Sequence, residues 1–392
     1  MKSLNKALKA YAALTCAYWL PQLYGVMRLS GVPTVEGMSP ETERTDWPRV
    51  SVIITACNEE DTIEAAVRPR LDDDYPELEI VLIDDRSTDG TGTMIDRLAE
   101  EDPRITPIHV DELPHGWLGK LHAMDVGVRA ASGDWLLFSD ADVQVRAGTL
   151  GRTVAYSEEN GVDHMAILPD FLPAGFILDA AISNFARIMC VLGRVWAVSD
   201  PGSRAAAGSG SFNMVRRETL EATEGLEYLK LEVSDDVTIG QMLKASGARQ
   251  AFAKGNGWVA VCFYPTIQDA LVGSERALFT ALGGCSMWRC IGIGVGFAGL
   301  ELAPLVLGLQ KRNLKVRRLG RALMCVQIAV SLVFDRWFER PLCHAPLAPL
   351  GSAAIMGAFI RAGVLGAARG GINWRGTFYP TSLLKSGRRF KL

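Results

Sequence analysis

Trp135-Leu136-Leu137-Phe138-Ser139-Asp140-Ala141-Asp142 is an apolar run that ends in two carboxylates one residue apart. A short apolar run of this kind predicts a buried strand, and open α/β sheets bind ligands at the carboxyl ends of their strands. Carboxylate oxygens at such a place suit a divalent metal, Mg2+ or Mn2+, that carries a diphosphate. Two aspartates after a strand are also ordinary turn and cap residues, so the stretch alone leaves both interpretations open.

Similar β-rich runs precede this one and alternate with helical stretches. The predicted strands are Val50–Thr55, Ile80–Ile83, Ile105–Val110 and Trp135–Ser139. Ser87-Thr88-Asp89 predicts the N-cap of the helix through Met94 and Ile95, and Gly119 to Ala131 predicts the helix before the fourth strand. This alternation is typical of an α/β fold with a mostly parallel sheet wrapped by helices.

Composition narrows the class of protein. The chain has 392 residues, 48% of them hydrophobic, and a formal charge of -3. The high apolar content predicts membrane segments, and the absence of a basic excess argues against a nucleic-acid partner. The eight cysteines are scattered without the spacing of a zinc site, which indicates reduced thiols in a cytosol-facing protein.

Polarity divides the chain into a predicted N-terminal membrane anchor or interfacial helix (1–35), a linker (36–49), the α/β domain (50–277) and a C-terminal membrane-associated region (278–392). The last region contains three apolar blocks, Ile291–Leu309, Leu319–Phe334 and Leu347–Leu365. Glu301 and the glycines at 292, 294 and 296 make the first block a poor span, so we expect it to be re-entrant or interfacial. The other two are expected to cross the membrane as a hairpin.

Three further clusters of chemically active residues follow predicted strands or open helices. Thr55 to Glu60 follows the first strand and Asp84-Asp85 the second, where a carboxylate can accept hydrogen bonds from a ribose or a base; a turn with a helix cap is the alternative for the aspartate pair. Pro114 to Lys120 is a glycine-containing loop that opens a helix, and its free N–H groups and lysine suit a phosphate.

Two more segments lie further along the chain. Arg204 to Asn213 is a loop of small residues that includes Gly208 and Ser209, and it allows close approach to a ligand or serves as a plain connection. Leu231 to Gly240 contains a second acidic pair, Asp235-Asp236, which opens a helix; an N-cap role for Asp235 is the simple alternative.

The order of these motifs resembles that of the family 2 glycosyltransferases of the GT-A fold. These inverting enzymes include cellulose and hyaluronan synthases, ceramide glucosyltransferase, and the carotenoid and hopanoid glycosyltransferases. The resemblance runs from about Val50 to Ala277 and includes the membrane flanks. It implies a GT-A domain, a nucleoside diphosphate sugar, expected to be a UDP-sugar, and a metal ion, Mg2+ or Mn2+.

The resemblance also implies roles for individual residues. The positions that hold the base and ribose of the nucleotide correspond to Ala56, Glu59, Asp84 and Asp85. Lys120 matches the Gly-Lys of the nucleotide-sugar pocket.

The two acidic pairs take the remaining roles. Asp142 matches the principal metal ligand, and Asp140 the residue that shares the metal and touches the donor. Ser234-Asp235-Asp236 resembles the family's Thr-Glu-Asp, with Asp236 in the place of the general base.

Two features of the sequence, one missing motif and one likeness, concern the acceptor. The Gln-x-x-Arg-Trp motif of the processive synthases is absent, with Gly273 to Arg276 as the nearest substitute, while Asn373 to Tyr379 looks like the ending of the lipid-glycosylating members. A lipid acceptor is therefore expected, and a polysaccharide or polyprenyl-phosphate glycosyltransferase is the alternative. The residues assigned to the acceptor region are Asp235, Gly208, Ser209, Arg276, Trp374 and Arg375.

The expected reaction is a single displacement with inversion, in which Asp236 takes the proton of the acceptor hydroxyl. A non-catalytic scaffold or sensor that keeps the fold is an alternative class. A dinucleotide-dependent dehydrogenase is disfavoured, because this chain has no Gly-x-Gly-x-x-Gly after its first strand. Nucleotide sugars are cytosolic, so the α/β domain and the basic runs 311–318 and 388–391 are expected on the cytoplasmic side of the cell membrane.

Phe176 to Val198 is apolar over the length of a helix. Arg187 and Arg194 are expected to share one face, which would let Phe185 and Trp196 enter the headgroup region. A buried core helix is the alternative.

Overall fold

The computed structural model describes residues 2–39, 45–311 and 313–390, with side chains from residue 6 onward. The predicted linker and the two basic runs therefore fall partly outside the described residues. The chain forms two compact units that interleave along the sequence. We call Val32–Leu172, Ala197–Phe263 and Asn373–Leu392 the sheet unit, and Met1–Gly31, Pro173–Trp196 and Tyr264–Ile372 the helical unit.

The sheet unit contains most of the strands of the described chain. They are β1 (Val50–Ala56), β2 (Leu78–Asp85), β3 (Ile105–Val110), β4 (Trp135–Asp140), β5 (Val143–Val145), β6 (His164–Leu168), β7 (Asp170–Phe171), β8 (Asn213–Arg216), β9 (Gln250–Lys254) and β10 (Val259–Val261). Near the C-terminus, β11 (Gly371–Trp374) and β12 (Thr377–Pro380) form a two-stranded sheet. The helices are α2 (Ile63–Leu71), α3 (Thr91–Glu101), α4 (Gly119–Ala130), α5 (Thr149–Glu159), α7 (Arg217–Glu221), α8 (Gly225–Tyr228), α9 (Asp235–Ala245) and α15 (Thr381–Gly387).

The central sheet of the described chain has seven strands in the order β3-β2-β1-β4-β8-β6-β9. The first four are parallel to one another, and β8 runs antiparallel to both its neighbours. The four predicted strands and the mostly parallel α/β sheet are thus confirmed. Nearly every residue of β1, β2 and β4 is buried, as expected for strands that are covered on both faces.

The register of the parallel strands brings the predicted clusters to one edge. Thr55 of β1 pairs with Asp140 of β4, and Ala56 pairs with Asp84 of β2. A smaller sheet, β5-β10-β7, begins directly after Asp142. The end of β4 therefore lies between two sheets.

Two predicted helix starts differ from those observed. The N-cap of α3 is Gly90, and Asp89 instead accepts a hydrogen bond from the backbone N–H of Thr91, the first helical residue, at 3.0 Å. Asp235 is the first residue of α9 and Ser234 is its N-cap. The carboxylate of Asp235 is used in an ion pair described below, so the simple N-cap interpretation is wrong.

The helical unit contains α1 (Lys2–Arg28), α6 (Phe176–Leu192), α10 (Ile267–Ala277), α11 (Met287–Glu301), α12 (Ala303–Gly308), α13 (Leu314–Trp337) and α14 (Ala348–Arg369). Among the described residues, Phe176–Ala197 and Leu342–Arg369 are long and apolar enough to cross a membrane. A third span is possible if Ile267–Leu282 and Met287–Glu301, which meet at 103°, count as one broken span or re-entrant loop.

This result agrees with some of the membrane predictions and corrects others. Leu347–Leu365 lies within a candidate span, and Ile291–Leu309 is divided between α11 and α12. In the described chain, neither α1 nor α13 qualifies, so the predicted crossing at Leu319–Phe334 has no support. The reason is charge near both ends of α13, with Arg317, Arg318 and Arg321 near its start and Asp335 and Arg336 near its end.

The buried alternative for α6 is the better description of its middle. Arg187 is 1% exposed and forms an ion pair with the fully buried Glu301 at 2.8 Å, while Arg194 lies beyond the end of the helix. The two arginines therefore do not share a headgroup face. The large apolar side chains that are exposed in the described chain all belong to the helical unit except Phe378, which makes this unit the apolar surface of the molecule.

Candidate active site

The end of β4 is held from both sides. The backbone N–H of Asp140 donates to the carbonyl of Gly210 at 2.9 Å. Below it, the buried Arg70 of α2 donates to Ser139 Oγ at 2.7 Å and to the carbonyl of Val143 at 3.0 Å. Because Ser139 and Val143 flank the Asp140-Ala141-Asp142 turn, Arg70 fixes the position of that turn. Burial lowers the pKa of Arg70 to about 10, so it stays cationic at neutral pH.

Lys120, in the first turn of α4, links two predicted acidic sites. Its Nζ lies 2.7 Å from Asp140 Oδ1 and 2.8 Å from Asp235 Oδ2. Burial alone would lower the pKa of Lys120, but the two carboxylates raise it above its ordinary value. The lysine is thus a permanent cation that ties the end of β4 to the start of α9.

Asp236 faces the same pocket, which it lines together with Lys120, Asp140, Ser209 and Gly210. Its Oδ2 accepts the backbone N–H of Gly210 at 3.1 Å, and its Oδ1 accepts the N–H of Val237 at 2.8 Å. Burial and the neighbouring Asp235 raise the pKa of Asp236 to about 6, although Lys120 acts in the opposite direction. The result is an oriented carboxylate that is more basic than an ordinary aspartate.

Glycines allow the loop of small residues to pack against α9. A Cβ at Gly208 would lie 1.8 Å from the carbonyl oxygen of Asp236, and one at Gly240 would lie 2.0 Å from the carbonyl oxygen of Ala207. At Gly210 a Cβ would come within 2.5 Å of Asp140 Oδ2. The structure therefore gives Gly208 a packing role, and it shows that Gly210, which the sequence did not single out, joins both acidic pairs.

Asp142 follows in the turn between β4 and β5. Burial, then Asp140 and Glu59, raise the pKa of Asp142 to about 6. Clustered carboxylates of this kind fit a hard divalent cation, which would relieve their mutual repulsion. In the described part of the chain, however, no three acidic, histidine or cysteine side chains form a metal site on their own. A cation held here would complete its coordination with diphosphate oxygens and water, as Mg2+ commonly does.

The two aspartates at the end of β2 already have partners. Asp85 forms a two-point ion pair with Arg86, with distances of 2.8 and 3.0 Å. Asp84 accepts the backbone N–H of Ser87 at 3.1 Å, which is the turn arrangement weighed as the alternative for this pair. Gly119 at the start of α4 lies against Asp85, since a Cβ there would be 2.4 Å from Asp85 Oδ2.

The C-terminal segment of the sheet unit reaches the residue predicted to bind the nucleotide after β1. Arg375 forms an ion pair with Glu59 and donates to the carbonyl of Cys57 at 2.8 Å. Nearby, Tyr379 Oη accepts the N–H of Gly119 at 3.2 Å, and Thr377 Oγ1 accepts from Arg86 at 3.2 Å. Arg375, assigned from sequence to the acceptor region, thus lies beside the predicted nucleotide residues.

The remaining sequence predictions are placed as follows. Ala56 is the last, buried residue of β1. Trp374 ends β11, two residues before Gly376, which has a φ of 77° in the turn between β11 and β12. Arg276 lies in α10, which belongs to the helical unit and not to the sheet unit that holds the pocket.

Residues 51–171 match the family model "Glycosyl transferase family 2". The matched stretch is less than a third of the chain. It contains all the predicted nucleotide and metal residues but ends before Asp236.

Related proteins extend the likeness. The chain is 29% identical over 118 residues to the GalNAc(5)-diNAcBac-PP-undecaprenol beta-1,3-glucosyltransferase of Campylobacter jejuni. This match covers 30% of the chain and 37% of the Campylobacter protein. It is 24% identical over 278 residues to a 4,4'-diaponeurosporenoate glycosyltransferase of Staphylococcus aureus, with 69% of this chain and 72% of that protein covered. The chain spans less than half the length of the curated relatives it first matches, 37% and 44% of them.

Among solved structures, the mannosyltransferase PcManGT of Pyrobaculum calidifontis, in complex with GDP-Man and Mn2+, has a TM-score of 0.54 at 20% identity. The match covers 92% of this chain and 99% of that one. At this identity the likeness shows the fold, and it confirms the GT-A-like α/β architecture. The match to the family model and the glycosyltransferase relatives support glycosyltransferase as the class of enzyme.

Proposed function

We propose that this chain is a membrane-bound, inverting glycosyltransferase that moves a sugar from a nucleoside diphosphate sugar, a UDP-sugar, to a hydroxyl of a lipid acceptor. Asp236 is the general base. Asp142 and Asp140 hold a divalent metal, and Ala56, Glu59, Asp84, Asp85 and Lys120 form the nucleotide-sugar side of the site.

The observation that carries this proposal is the convergence of two acidic pairs on one lysine. Lys120 lies within 2.8 Å of both Asp140 and Asp235, which are 95 residues apart in sequence. Asp236 lines the same pocket. A turn residue and a helix cap with no joint function do not need to share a half-buried cation. A transferase, in contrast, needs a base and a diphosphate site side by side.

Asp236 has the properties that a base requires here. Backbone N–H groups of Gly210 and Val237 orient its two oxygens, and each oxygen keeps a second lone pair for an acceptor hydroxyl. With a pKa of about 6 it is mostly ionised at neutral pH and accepts a proton more readily than an ordinary aspartate. Attack by the activated hydroxyl on the anomeric carbon, with departure of the diphosphate from the opposite face, inverts the configuration.

The donor side of the site needs cationic charge. A metal at Asp142 and Asp140 supplies Lewis-acid stabilisation of the leaving diphosphate when it is bound. Lys120 holds Asp140 in place and adds a fixed positive charge beside it. Asp85 and Glu59, which are paired with arginines in the described structure, would exchange part of these contacts for hydroxyl or base groups of the nucleotide.

The choice of donor and acceptor class is supported by the relatives. The Campylobacter and Staphylococcus proteins are named for lipid-linked substrates, and the Pyrobaculum structure holds a nucleotide sugar with Mn2+. The apolar surface of the helical unit, with two helices apolar enough to cross a membrane, suits an acceptor that is delivered by the bilayer. We place the sheet unit on the cytoplasmic side, where nucleotide sugars are made.

Substitution of Asp236 by Asn tests the proposal. The full chain in membranes is supplied with labelled UDP-sugars and, as a comparison, GDP-mannose, and the labelled lipids are identified by mass spectrometry. Loss of the base should lower turnover by about 10²- to 10⁴-fold and leave donor binding nearly unchanged. Asp111→Asn, which changes an exposed aspartate outside the pocket, is the matched control.

Two results would refute the assignment. One is transfer by Asp236→Asn at the rate of the parent protein, and the other is a product that keeps the anomeric configuration of the donor. No transfer from any donor, by the parent protein as well, would instead favour a scaffold or sensor that keeps the fold.

A further inference from the structure

The start of α13 carries an unusual concentration of positive charge. Exposed basic residues lie on it and on the turn before it, and they include Lys311, Lys315, Arg318 and Arg321. The sequence has no aspartate or glutamate between Glu301 and Asp335. Both of those acids are buried, Glu301 against Arg187 and Asp335 against Ser183, so neither balances the exposed cations.

A second helix adds to the same charge. α1 contains no acidic residue, and its first turns carry the exposed Lys6 and Lys9. Ala12 of α1 packs with Leu307 of α12 and Val316 of α13 in one buried cluster. The lysines of α1 therefore lie within about two turns of the contact with the basic end of α13.

These helices are packed so closely that the arrangement is fixed. A Cβ at Gly320 of α13 would lie 2.2 Å from the backbone nitrogen of Gly308 at the end of α12. Leu307 and Val316 face inward and are almost fully buried. The basic side chains consequently occupy the outer face of a rigid α12–α13 hairpin, and we call this face, with Lys6 and Lys9, the basic patch.

Stability of the fold does not account for the basic patch. Cations in the first turn of a helix oppose the helix dipole, and like charges at neighbouring positions repel one another. Within the described residues, none of the patch lysines or arginines has an acidic partner. An anionic partner outside the chain would remove this cost.

Apolar side chains border the patch and indicate what that partner is. Val306 and Leu309 are 56% and 69% exposed, and Leu314 is 49% exposed. A soluble polyanion such as RNA offers nothing to these aliphatic groups. A bilayer surface offers both anionic headgroups and hydrocarbon within a few ångströms of each other.

We propose that the basic patch is a docking surface for anionic phospholipid, so that α13 lies along a negatively charged membrane face instead of crossing the bilayer. Leu309 and Leu314 enter the region below the headgroups, and the lysines and arginines contact the phosphates. This inference does not depend on the reaction of the sheet unit.

The test compares the triple variant Lys315→Gln, Arg318→Gln, Arg321→Gln with a matched control, Arg97→Gln, Arg129→Gln, Arg249→Gln, which removes the same charge from exposed positions of the sheet unit. The full chain in neutral detergent is titrated with phosphatidylglycerol or with phosphatidylcholine of the same acyl chains. The readout is the lipid concentration that gives half of the maximal rise in unfolding temperature.

Phosphatidylglycerol should stabilise the parent protein and the control at low concentration, and 0.5 M salt should weaken the effect because exposed charges are screened. Each basic residue near an anionic surface contributes about fivefold in affinity, so the patch variant should need roughly a hundredfold more of this lipid. Arg318→Gln alone should need about fivefold more, which keeps the test available if the triple variant does not fold.

Three outcomes would overturn the proposal. The first is an equal response of the patch variant and the control to phosphatidylglycerol. In the second, phosphatidylcholine stabilises the parent protein as effectively as phosphatidylglycerol does. The third is stabilisation of the same size by soluble glycerol phosphate or by a short single-stranded RNA, since either would show an anion site that does not require a membrane.

Discussion

Replacing Asp142 by Asn should stabilise the ligand-free protein while abolishing its activity. Burial and the carboxylates of Asp140 and Glu59 raise the pKa of Asp142 to about 6. An acid whose pKa is higher in the folded than in the unfolded chain opposes folding when it is ionised. Asn has a similar shape and no charge, so the substitution removes this opposition.

The size of the effect follows from the shift. Raising the pKa of Asp142 from about 4 to about 6 lowers the free energy of unfolding by at most about 3 kcal/mol. The actual loss is smaller, because a partly exposed carboxylate keeps some of its hydration. The penalty is absent below the unfolded pKa near 4 and complete above the folded value of about 6. Asp142→Asn should therefore gain about a third of the increment at pH 4.5 and nearly all of it at pH 7.5.

The assay is thermal unfolding of the parent protein and the variant from pH 4.5 to 8, in EDTA and in Mn2+. For a domain of this size, 3 kcal/mol corresponds to roughly 5–10 °C. Asp111→Asn, which alters an exposed aspartate, should change the midpoint by under about 1 °C. In Mn2+ the parent protein should gain stability and the variant should gain less.

The reasoning fails if Asp142→Asn unfolds at or below the parent temperature at pH 7.5. It also fails if the increment is the same at pH 4.5 as at pH 7.5, because a pH-independent gain would come from packing and not from relief of charge.

Three more predictions concern the same pocket. Turnover should fall about tenfold per pH unit below pH 6, because Asp236, whose pKa is about 6, must be ionised to act as base; a profile that is flat from pH 5 to 8 argues against it. Gly208→Ala places a Cβ 1.8 Å from the carbonyl oxygen of Asp236 and should cost about 1–3 kcal/mol in a melting experiment, whereas the exposed Gly202→Ala should not. Arg70→Met removes the hydrogen bonds to Ser139 and Val143, so we expect about 1–3 kcal/mol of destabilisation and a lower kcat with little change in the KM for the donor; unchanged kcat contradicts a positioning role.

The strands and the acidic turns were predictable from sequence because each is specified locally. β4 is an uninterrupted apolar run with its carboxylates directly behind it, and β1 and β2 repeat the pattern. Parallel strands present their carboxyl ends at one edge, so the meeting of Asp140 with the ends of β1 and β2 followed from the fold class.

The contacts that complete the pocket were not predictable in this way, because they join distant segments. Arg70 and Ser139 are 69 residues apart, and Arg375 and Glu59 are 316 residues apart. An arginine in a helix with no unusual pattern gives no local sign that it holds a turn elsewhere. The steric need for Gly210 likewise arises only when β8 and α9 are placed next to β4.

The membrane predictions were partly wrong for a related reason. Leu319–Phe334, taken alone, is apolar enough to suggest a membrane span. Whether a helix can span a membrane depends on the charges along its whole length, however. α13 has basic residues in its first turns and the buried Asp335 in its last turn. The sequence likewise does not show that Arg187 has a partner 114 residues away: it is buried against Glu301 and is not exposed on a headgroup face.

The charges of the pocket explain why stability and activity should oppose each other here. Among the described residues, five carboxylates lie close to only three cationic side chains, and these residues are Glu59, Asp140, Asp142, Asp235, Asp236, Arg70, Lys120 and Arg375. Burial, and after it the neighbouring carboxylates, raise the pKa of Asp142 and Asp236. A diphosphate would add to the negative charge at short range, where repulsion is strong in a partly buried site. A nucleotide sugar is therefore expected to enter together with a divalent cation, since only then is charge balanced on both sides. Replacing Asp142 stabilises the empty pocket because this carboxylate has no ion-pair partner to lose within the described part of the chain, but it also removes a ligand of the cation. The stability gain at Asp142 is therefore linked to the loss of catalysis.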